Sequence, residues 1–434
     1  MKYSPGMGST QETAPPSLLE LVEREARAAR DALVTLTDAA VEEGMTSAAA
    51  LLIDRRAEIV AANELDVDAG AGRLDAGALD RLRLDDRRLE AMAAGVRATA
   101  ALEPLQRELR TWTLPNGLEV SERRIPVGVV GANFEARPNV AVDVASQVLK
   151  SGNAVVLRTG SAALRTVTEL VDGVLRPALE SAGIDGAAVG LVRSADRAGA
   201  EALVSLPASI PLVILRGSGA STAALAAIAA ANGVRALAHA EGGGVLYAHA
   251  SASPDKLRAI ARASLDRLGV CNRLNLALVD ASAPALAEAI VGVCWELGIE
   301  VRAAGRAAGL AGVLPLDRPV GHEWASEPDR VATITLELVD GLDDAVALAN
   351  DETSGLAAAI VAEDEAAAER FLASYRGTAA LWNATTRFVD GFELNGTPET
   401  GINVDRFPGP RGPVSYRDLS LRQYRIVGDG SQHR

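Results

Sequence analysis

Two cysteines in 434 residues, Cys271 and Cys294, exclude a disulfide framework and fit a reducing, cytoplasmic setting. Aromatic residues are only 3% of the chain against 48% hydrophobic, with alanine foremost, so the core is expected to be closely packed small aliphatics. No apolar stretch reaches transmembrane length without interrupting charges, so no membrane partner is expected. Positive charge is short as well. A formal net charge of -14 disfavours nucleic acid and anionic lipid, yet leaves room for a local basic pocket around an anionic substrate or cofactor. There is no solenoid-period repeat, and no metal site is expected. The segment Met1 to Pro16 is rich in Ser, Thr, Pro and Gly and lacks the apolar stretch of a signal peptide, so it reads as a disordered tail.

What is present is organised in three stretches, enough chain for two or three domains. From Leu18 to Leu102, apolar residues three and four apart alternate with Arg, Glu and Asp, the pattern of polar-surfaced helices. Trp112 to Arg124 holds the turn signal Pro115-Asn-Gly117 and then alternating residues, a two-strand element. Ile125-Pro-Val-Gly-Val-Val130 is expected as a buried strand, Val140 to Leu149 as a helix, and Lys150-Ser-Gly-Asn-Ala-Val-Val-Leu157 is expected to hold the next strand. That makes a β-α-β unit and argues for an α/β fold with a parallel sheet. Val189 to Arg193 and Pro211 to Leu215 repeat the theme, and further β/α alternation runs to Val361. The terminus from Arg411 to Gly430 reads as an arm or edge strand.

Two features carry chemistry. Cys271 stands in Arg267-Leu-Gly-Val-Cys-Asn272, between an amphipathic helix and the apolar run Leu276-Ala-Leu-Val279. There a helix end or a nearby cation would favour the reactive thiolate; the alternative is an inert buried thiol. Arg216-Gly-Ser-Gly219 joins a strand to an Ala-rich helix, placing free backbone N–H groups and a positive helix end where a phosphate would sit. Thr222 stands where the third glycine of the dinucleotide fingerprint belongs, so an ordinary βα turn is the competing reading.

Three segments together resemble the γ-glutamyl phosphate reductase (glutamate-5-semialdehyde dehydrogenase) family of the aldehyde dehydrogenase superfamily. They are Arg124-Ile-Pro-Val-Gly-Val-Val-Gly-Ala-Asn-Phe-Glu-Ala-Arg-Pro-Asn139 with Lys150-Ser-Gly-Asn-Ala-Val-Val-Leu-Arg158, then Val270-Cys-Asn272, and finally Asn383-Ala-Thr-Thr-Arg-Phe-Val-Asp-Gly391 followed by Glu399 and Gly401-Ile402. The resemblance implies an NADPH-dependent reduction of an acyl phosphate through a thioester on Cys271, with the Asn139 amide holding the oxyanion. It implies cofactor contacts from Lys150, Ser151 and Gly152 and from Gly217, Ser218 and Gly219. Arg137, Asn272 and Arg387 would contact the substrate; each arginine is otherwise a structural ion pair. Glu241 is a candidate base or a loop carboxylate, and Cys294 has no counterpart. The implied architecture is a cofactor domain (17–238 with a return segment 383–405), a catalytic domain (239–382) and an arm (111–126 and 406–434) that pairs subunits into a homodimer or higher homo-oligomer. Coupling to an acyl kinase would supply the substrate.

The chain departs from the family pattern at a cluster of positions: Val245 and Leu246 before Tyr247, Arg267-Leu268 before the cysteine, Asn275 after it, Ser354-Gly-Leu-Ala-Ala358, and Leu394-Asn-Gly-Thr-Pro398. Polar groups have become aliphatic or uncharged. Either the substrate is a different acyl phosphate, or these positions are structural and have been repacked. A catalytically weak homologue is the remaining alternative.

Overall fold

The computed structural model describes residues 17–74, 76–217, 219–239, 242–267, 270–316, 332–404 and 411–433; the expected tail 1–16 lies outside them. Helices Leu18–Ala32, Asp38–Asp54, Arg56–Gly70, Ala76–Leu82 and Asp86–Ala100 open the described chain. Their starts follow from side chains that satisfy free N–H groups. Ser17 and Glu20 form a reciprocal capping box, and Thr37 and Asp85 accept from the backbone of Ala40 and Arg88. The buried positions Val22, Ala26 and Ala29 line one stripe of the first helix, and the helices share one continuous core with the first sheet.

Strands β1 (Glu108–Thr113) and β2 (Glu119–Pro126) are antiparallel, joined through the Pro115-Asn-Gly117 turn. β3 is Val129–Phe134. The run Ile125 to Val130 is therefore two strands, not the single one its hydrophobicity suggests. At Gly128 the backbone takes a φ of +114°, a conformation glycine reaches without strain, and the chain passes there from one sheet to another.

With β4 (Ala154–Thr159), β5 (Val189–Leu191), β6 (Leu212–Arg216) and β7 (Arg235–His239), β3 forms a parallel sheet in the order β5-β4-β3-β6-β7. The chain moves outward from β3 to β5, then crosses to build β6 and β7 on the other side. The reversal leaves a crevice at the carboxyl ends of β3 and β6, where open α/β sheets place their ligands.

A second parallel sheet combines β8 (Gly244–Ala248), β9 (Leu274–Asp280), β10 (Glu300–Ala303), β11 (Val313–Pro315), β12 (Thr333–Val339), β13 (Ala357–Val361) and β14 (Ala379–Trp382), in the order β11-β10-β12-β9-β8-β13-β14. Separate apolar clusters cover its two faces. The central strands β8, β9 and β13 are buried along their whole length and run Val-, Leu- and Ala-rich because both their faces are covered. The chain returns through β15 (Gly401–Asn403), beside β7, to β16 (Gly412–Val414), and ends in β17 (Ser420–Val427), which pairs with β2.

Asn153 ties these parts together. Fully buried, it accepts from Gly128 N at 2.8 Å and donates to Leu419 O at 2.8 Å. Asn153→Ala strands both groups and is expected to lower stability by about 2–3 kcal/mol, read as a reduced midpoint in urea with an unchanged slope.

Candidate active site

The turn after β3 carries Glu135, Ala136, Arg137 and Pro138 into the helix Asn139–Lys150. Ala136 holds a φ of +41°, a strained value for a residue with a Cβ, and the turn it shapes presents Arg137. From the neighbouring strand end, Arg216 leads through Gly217 into the helix Gly219–Ala231, and Ser221 Oγ donates to Glu135 Oε1 at 2.7 Å. The two strand ends are thus locked side by side.

Cys271 faces this crevice from the loop before β9. Its carbonyl accepts from Gly243 N at 2.6 Å, and Gly244 N donates to Arg273 O at 2.6 Å. Thr386 Oγ1 donates to Asn272 O at 2.7 Å. The approach is so close that a Cβ on Gly244 would lie 2.7 Å from Thr386 Oγ1, so glycine is required there. The segment around Thr386 therefore clamps the cysteine loop from outside its own sheet.

Electrostatics at the sulfur run against the simplest sequence expectation. Arg216 and Arg387 do favour the thiolate, but burial and the Glu399 carboxylate outweigh them and push the thiol up to about 11. Leu356, Ala357, Val389 and Ile402 form the apolar cluster against which Cys271 packs. Glu399 is itself pushed up to about 7, by burial and then by Asp390, and its Oε2 has no hydrogen-bond partner among the described residues. Arg216 Nη1 donates to Thr400 O at 2.7 Å, and its charge acts on Cys271, Arg137, Asp143 and Glu399 alike.

The Arg137 side chain makes no hydrogen bond or ion pair among the described residues, while its carbonyl accepts from Val140 N at 3.0 Å. Burial, then Arg216 and Arg81, push its pKa down to about 10. A guanidinium crowded by other guanidiniums, with Glu135 as its nearby carboxylate and no side-chain hydrogen bond among the described residues, is suited to an anionic ligand. Asn139 lies on the first turn of its helix and donates through Nδ2 to Asp143 Oδ2 at 3.0 Å.

Other expected residues fall elsewhere. Lys150, Ser151 and Gly152 lie at the amino end of β4, the far end of the sheet from the crevice. Lys150 is buried with Nζ donating to Ala100 O at 2.8 Å, and a Cβ on Gly152 would meet Pro126 and Arg107. Their assignment to the cofactor is corrected on that ground. The cation at the carboxyl end of β4 is Arg158, whose Nη1 donates to Asn133 Oδ1 at 3.1 Å and Nη2 to Asp196 O at 2.9 Å. Its Nε, and Thr159 Oγ1 beside it, are buried without hydrogen-bond partners among the described residues.

Asn272 and Arg387 are likewise committed within the protein. Asn272 Nδ2 donates to Arg387 O at 3.1 Å and to Val389 O at 3.0 Å, and its Oδ1 accepts from Arg387 Nη1. Arg387 Nε donates to Asp266 Oδ1 at 2.7 Å. With both amide N–H groups used, Asn272 has no side-chain donor left for a substrate, and Arg387 takes the ion-pair role. Both brace the cysteine loop. Gly217 and Gly219 lie at the crevice; Ser218 and Glu241 are outside the described residues. Cys294 is buried in the core of the second sheet. No group of three metal-ligating side chains occurs among the described residues, and no helix there is long and apolar enough to cross a membrane.

Sequence reasoning missed Arg216, Asp143 and Arg158 as site residues. Arg216 and Arg158 each end a buried apolar strand, a signal that was available. Asp143 had no local signal beyond its spacing of four from Asn139.

The departures from the family pattern divide. Val245 and Leu246 point into the apolar clusters on opposite faces of the second sheet, and Asn275 is buried in β9, so these positions are core. Leu356 and Ala357 belong to the apolar cluster against which Cys271 packs.

No protein-family model matches this sequence. The chain is 37% identical to a γ-glutamyl phosphate reductase of Clavibacter michiganensis, covering 97% of each. The crystal structure of γ-glutamyl phosphate reductase from Thermotoga maritima superposes with a TM-score of 0.88 at 28% identity, covering 96% of this chain and 100% of that one. An acetylating aldehyde dehydrogenase from Geobacillus thermoglucosidasius, 16% identical, shares the fold with a TM-score of 0.69, covering 96% of this chain and 97% of that one. With two parallel sheets meeting over one cysteine and that identity along nearly its whole length, the chain belongs to the γ-glutamyl phosphate reductase family.

Proposed function

We propose that the protein reduces L-glutamyl 5-phosphate to L-glutamate 5-semialdehyde with release of phosphate, as a step of proline biosynthesis, and that NADPH is the reductant. The observation that carries the reading is the positive charge gathered at Cys271: Arg216 and Arg387 act on its thiol, and Arg137 stands at the end of β3 beside Arg216 at the end of β6. A thiol alone suits many acyl transfers; a thiol beside two guanidiniums suits an acyl group whose leaving group is phosphate.

Each residue then has a role. The Cys271 sulfur attacks the carbonyl carbon as its proton passes to the Glu399 carboxylate, the buried acceptor whose charge acts on it. The second N–H of the Asn139 amide and the Cys271 backbone N–H take the charge that builds on oxygen. The carbon–oxygen bond to phosphate breaks, phosphate keeps the electron pair, and Arg137 and Arg216 hold the departing anion. The acyl group remains on sulfur as a thioester. NADPH held at the end of β4 and the turn at Gly217 would supply hydride to that carbonyl. As the carbon–sulfur bond breaks, the aldehyde leaves and the sulfur regains a proton.

Unpartnered donors at the carboxyl end of β4 and the glycine turn leading into the helix Gly219–Ala231 fit a phosphate-bearing dinucleotide. An arginine at that strand end suits the 2′-phosphate of NADPH, where a carboxylate would suit NADH. Arg158→Ala is expected to raise KM for NADPH at least about tenfold and to leave KM for NADH within about twofold. Steady-state kinetics with both cofactors check it.

We further assign residues 17–238 with 383–405 to cofactor binding and 239–382 to the catalytic domain. The arm, 111–126 and 406–434, is assigned to subunit pairing. The exposed Leu421, Tyr424, Ile426 and Val427 on β17 support the last assignment.

The apolar wall of Leu356 and Ala357 beside Cys271 favours a second reading, the same chemistry on a less polar acyl phosphate. Phosphate-dependent reduction of NADP by glutamate 5-semialdehyde, compared with uncharged aldehydes, separates the two. A kcat/KM higher for the uncharged aldehydes would overturn the first reading, and oxidation independent of phosphate would overturn both.

A further inference from the structure

We infer that Asp143 is a positioning residue for this reaction: its carboxylate sets which way the Asn139 amide faces, keeping one N–H of that amide aimed at the carbonyl under attack. The inference rests on the proposed acyl transfer to Cys271.

Asp143 stands one turn beyond Asn139 on the helix Asn139–Lys150, a spacing that puts both side chains on one face. Asn139 Nδ2 donates to Asp143 Oδ2 at 3.0 Å, and among the described residues neither side chain has another hydrogen bond. An amide has two nearly isosteric ends, and its partner decides which end faces where. An ionised carboxylate only accepts, so it captures N–H and turns the amide oxygen away. The remaining N–H is left for a ligand. A protonated carboxyl, or an amide in its place, offers a donor of its own, and the reversed orientation becomes as good. The oxyanion would then meet a carbonyl oxygen rather than a donor.

The charge state is adjustable. Burial pushes Asp143 up to about 6, opposed by the Arg216 guanidinium at the end of β6 and by the Asn139 amide. Above that pH the carboxylate holds the amide; below it the hold is lost. Glu399, Cys271 and Arg137 feel the same Arg216, so their titration overlaps and must be separated by the variant rather than by the wild-type profile alone.

The experiment is Asp143→Asn in the full-length enzyme, with kcat and KM measured for phosphate-dependent oxidation of glutamate 5-semialdehyde between about pH 5 and 9. At the alkaline end kcat is expected to fall roughly tenfold to a hundredfold while KM stays within about threefold. The acid limb near 6 should disappear, while any limb belonging to Glu399 persists. A merely structural role would lower the melting temperature and leave the pH profile in place; that result, or an unchanged kcat, overturns the inference. Mass spectrometry for an acyl group on Cys271 of the wild type keeps the two claims apart. Acylation with an unaffected Asp143→Asn variant removes Asp143 alone, whereas no acylation removes the proposed function and this inference together.

Discussion

Cys271→Ser is expected to lower phosphate-dependent oxidation of the cognate aldehyde by NADP by at least roughly four orders of magnitude. The loss is large because two steps fail together. Serine oxygen is a poorer nucleophile without a strong base, and the oxygen ester it would form accepts hydride less readily than a thioester. Burial makes the first problem worse. The pocket already pushes the sulfur up to about 11, and an alcohol there would stay fully protonated. The control is Cys294→Ser, which lies in the core of the second sheet and should leave kcat unchanged while costing some stability. Full activity in Cys271→Ser would remove the nucleophile assignment outright.

Arg216→Gln is expected to lower kcat/KM for the acyl phosphate by about two to three orders of magnitude, equivalent to about 3–4 kcal/mol. Two causes add. The departing phosphate loses a charge-assisted partner, and Cys271 loses the cation that most strongly favours its thiolate. The sign on the sulfur follows directly. Without Arg216 the thiol is pushed above its present value of about 11, so a smaller fraction is ionised at any given pH. Alkylation of Cys271 by iodoacetamide, followed against pH, should therefore shift to higher pH in the variant. That readout is independent of turnover. A variant that alkylates like the wild type and keeps its kcat/KM would show that Arg216 only anchors the Thr400 carbonyl.

The difference between these residues in the sequence is instructive. Cys271 is conspicuous because the chain has so few cysteines and this one sits between a helix and an apolar strand. Arg216 is one arginine among many, and what singles it out is the strand order, which sets the end of β6 beside the end of β3. Lys150 illustrates the converse error. It stands next to a recognisable glycine-punctuated segment, but helix Asn139–Lys150 runs back along the sheet and delivers it to the wrong end, where it meets Ala100. Asn272 and Arg387 lie in matching segments and are brought together, yet they spend their polar atoms on each other and on Asp266.

Hydrophobic periodicity, turn chemistry and local glycine placement determined the elements: the parallel α/β alternation and the Pro115-Asn-Gly117 hairpin; the proposal of Cys271 as the reactive sulfur came from the family resemblance of the segments around it. The elements depend on neighbours close along the chain. The tertiary structure alone decided which charges gather around that sulfur and which polar atoms remain free to meet a ligand. Burial, like-charge crowding and hydrogen-bond occupancy depend on residues far apart in sequence, and they exist only once the two sheets have closed over the crevice.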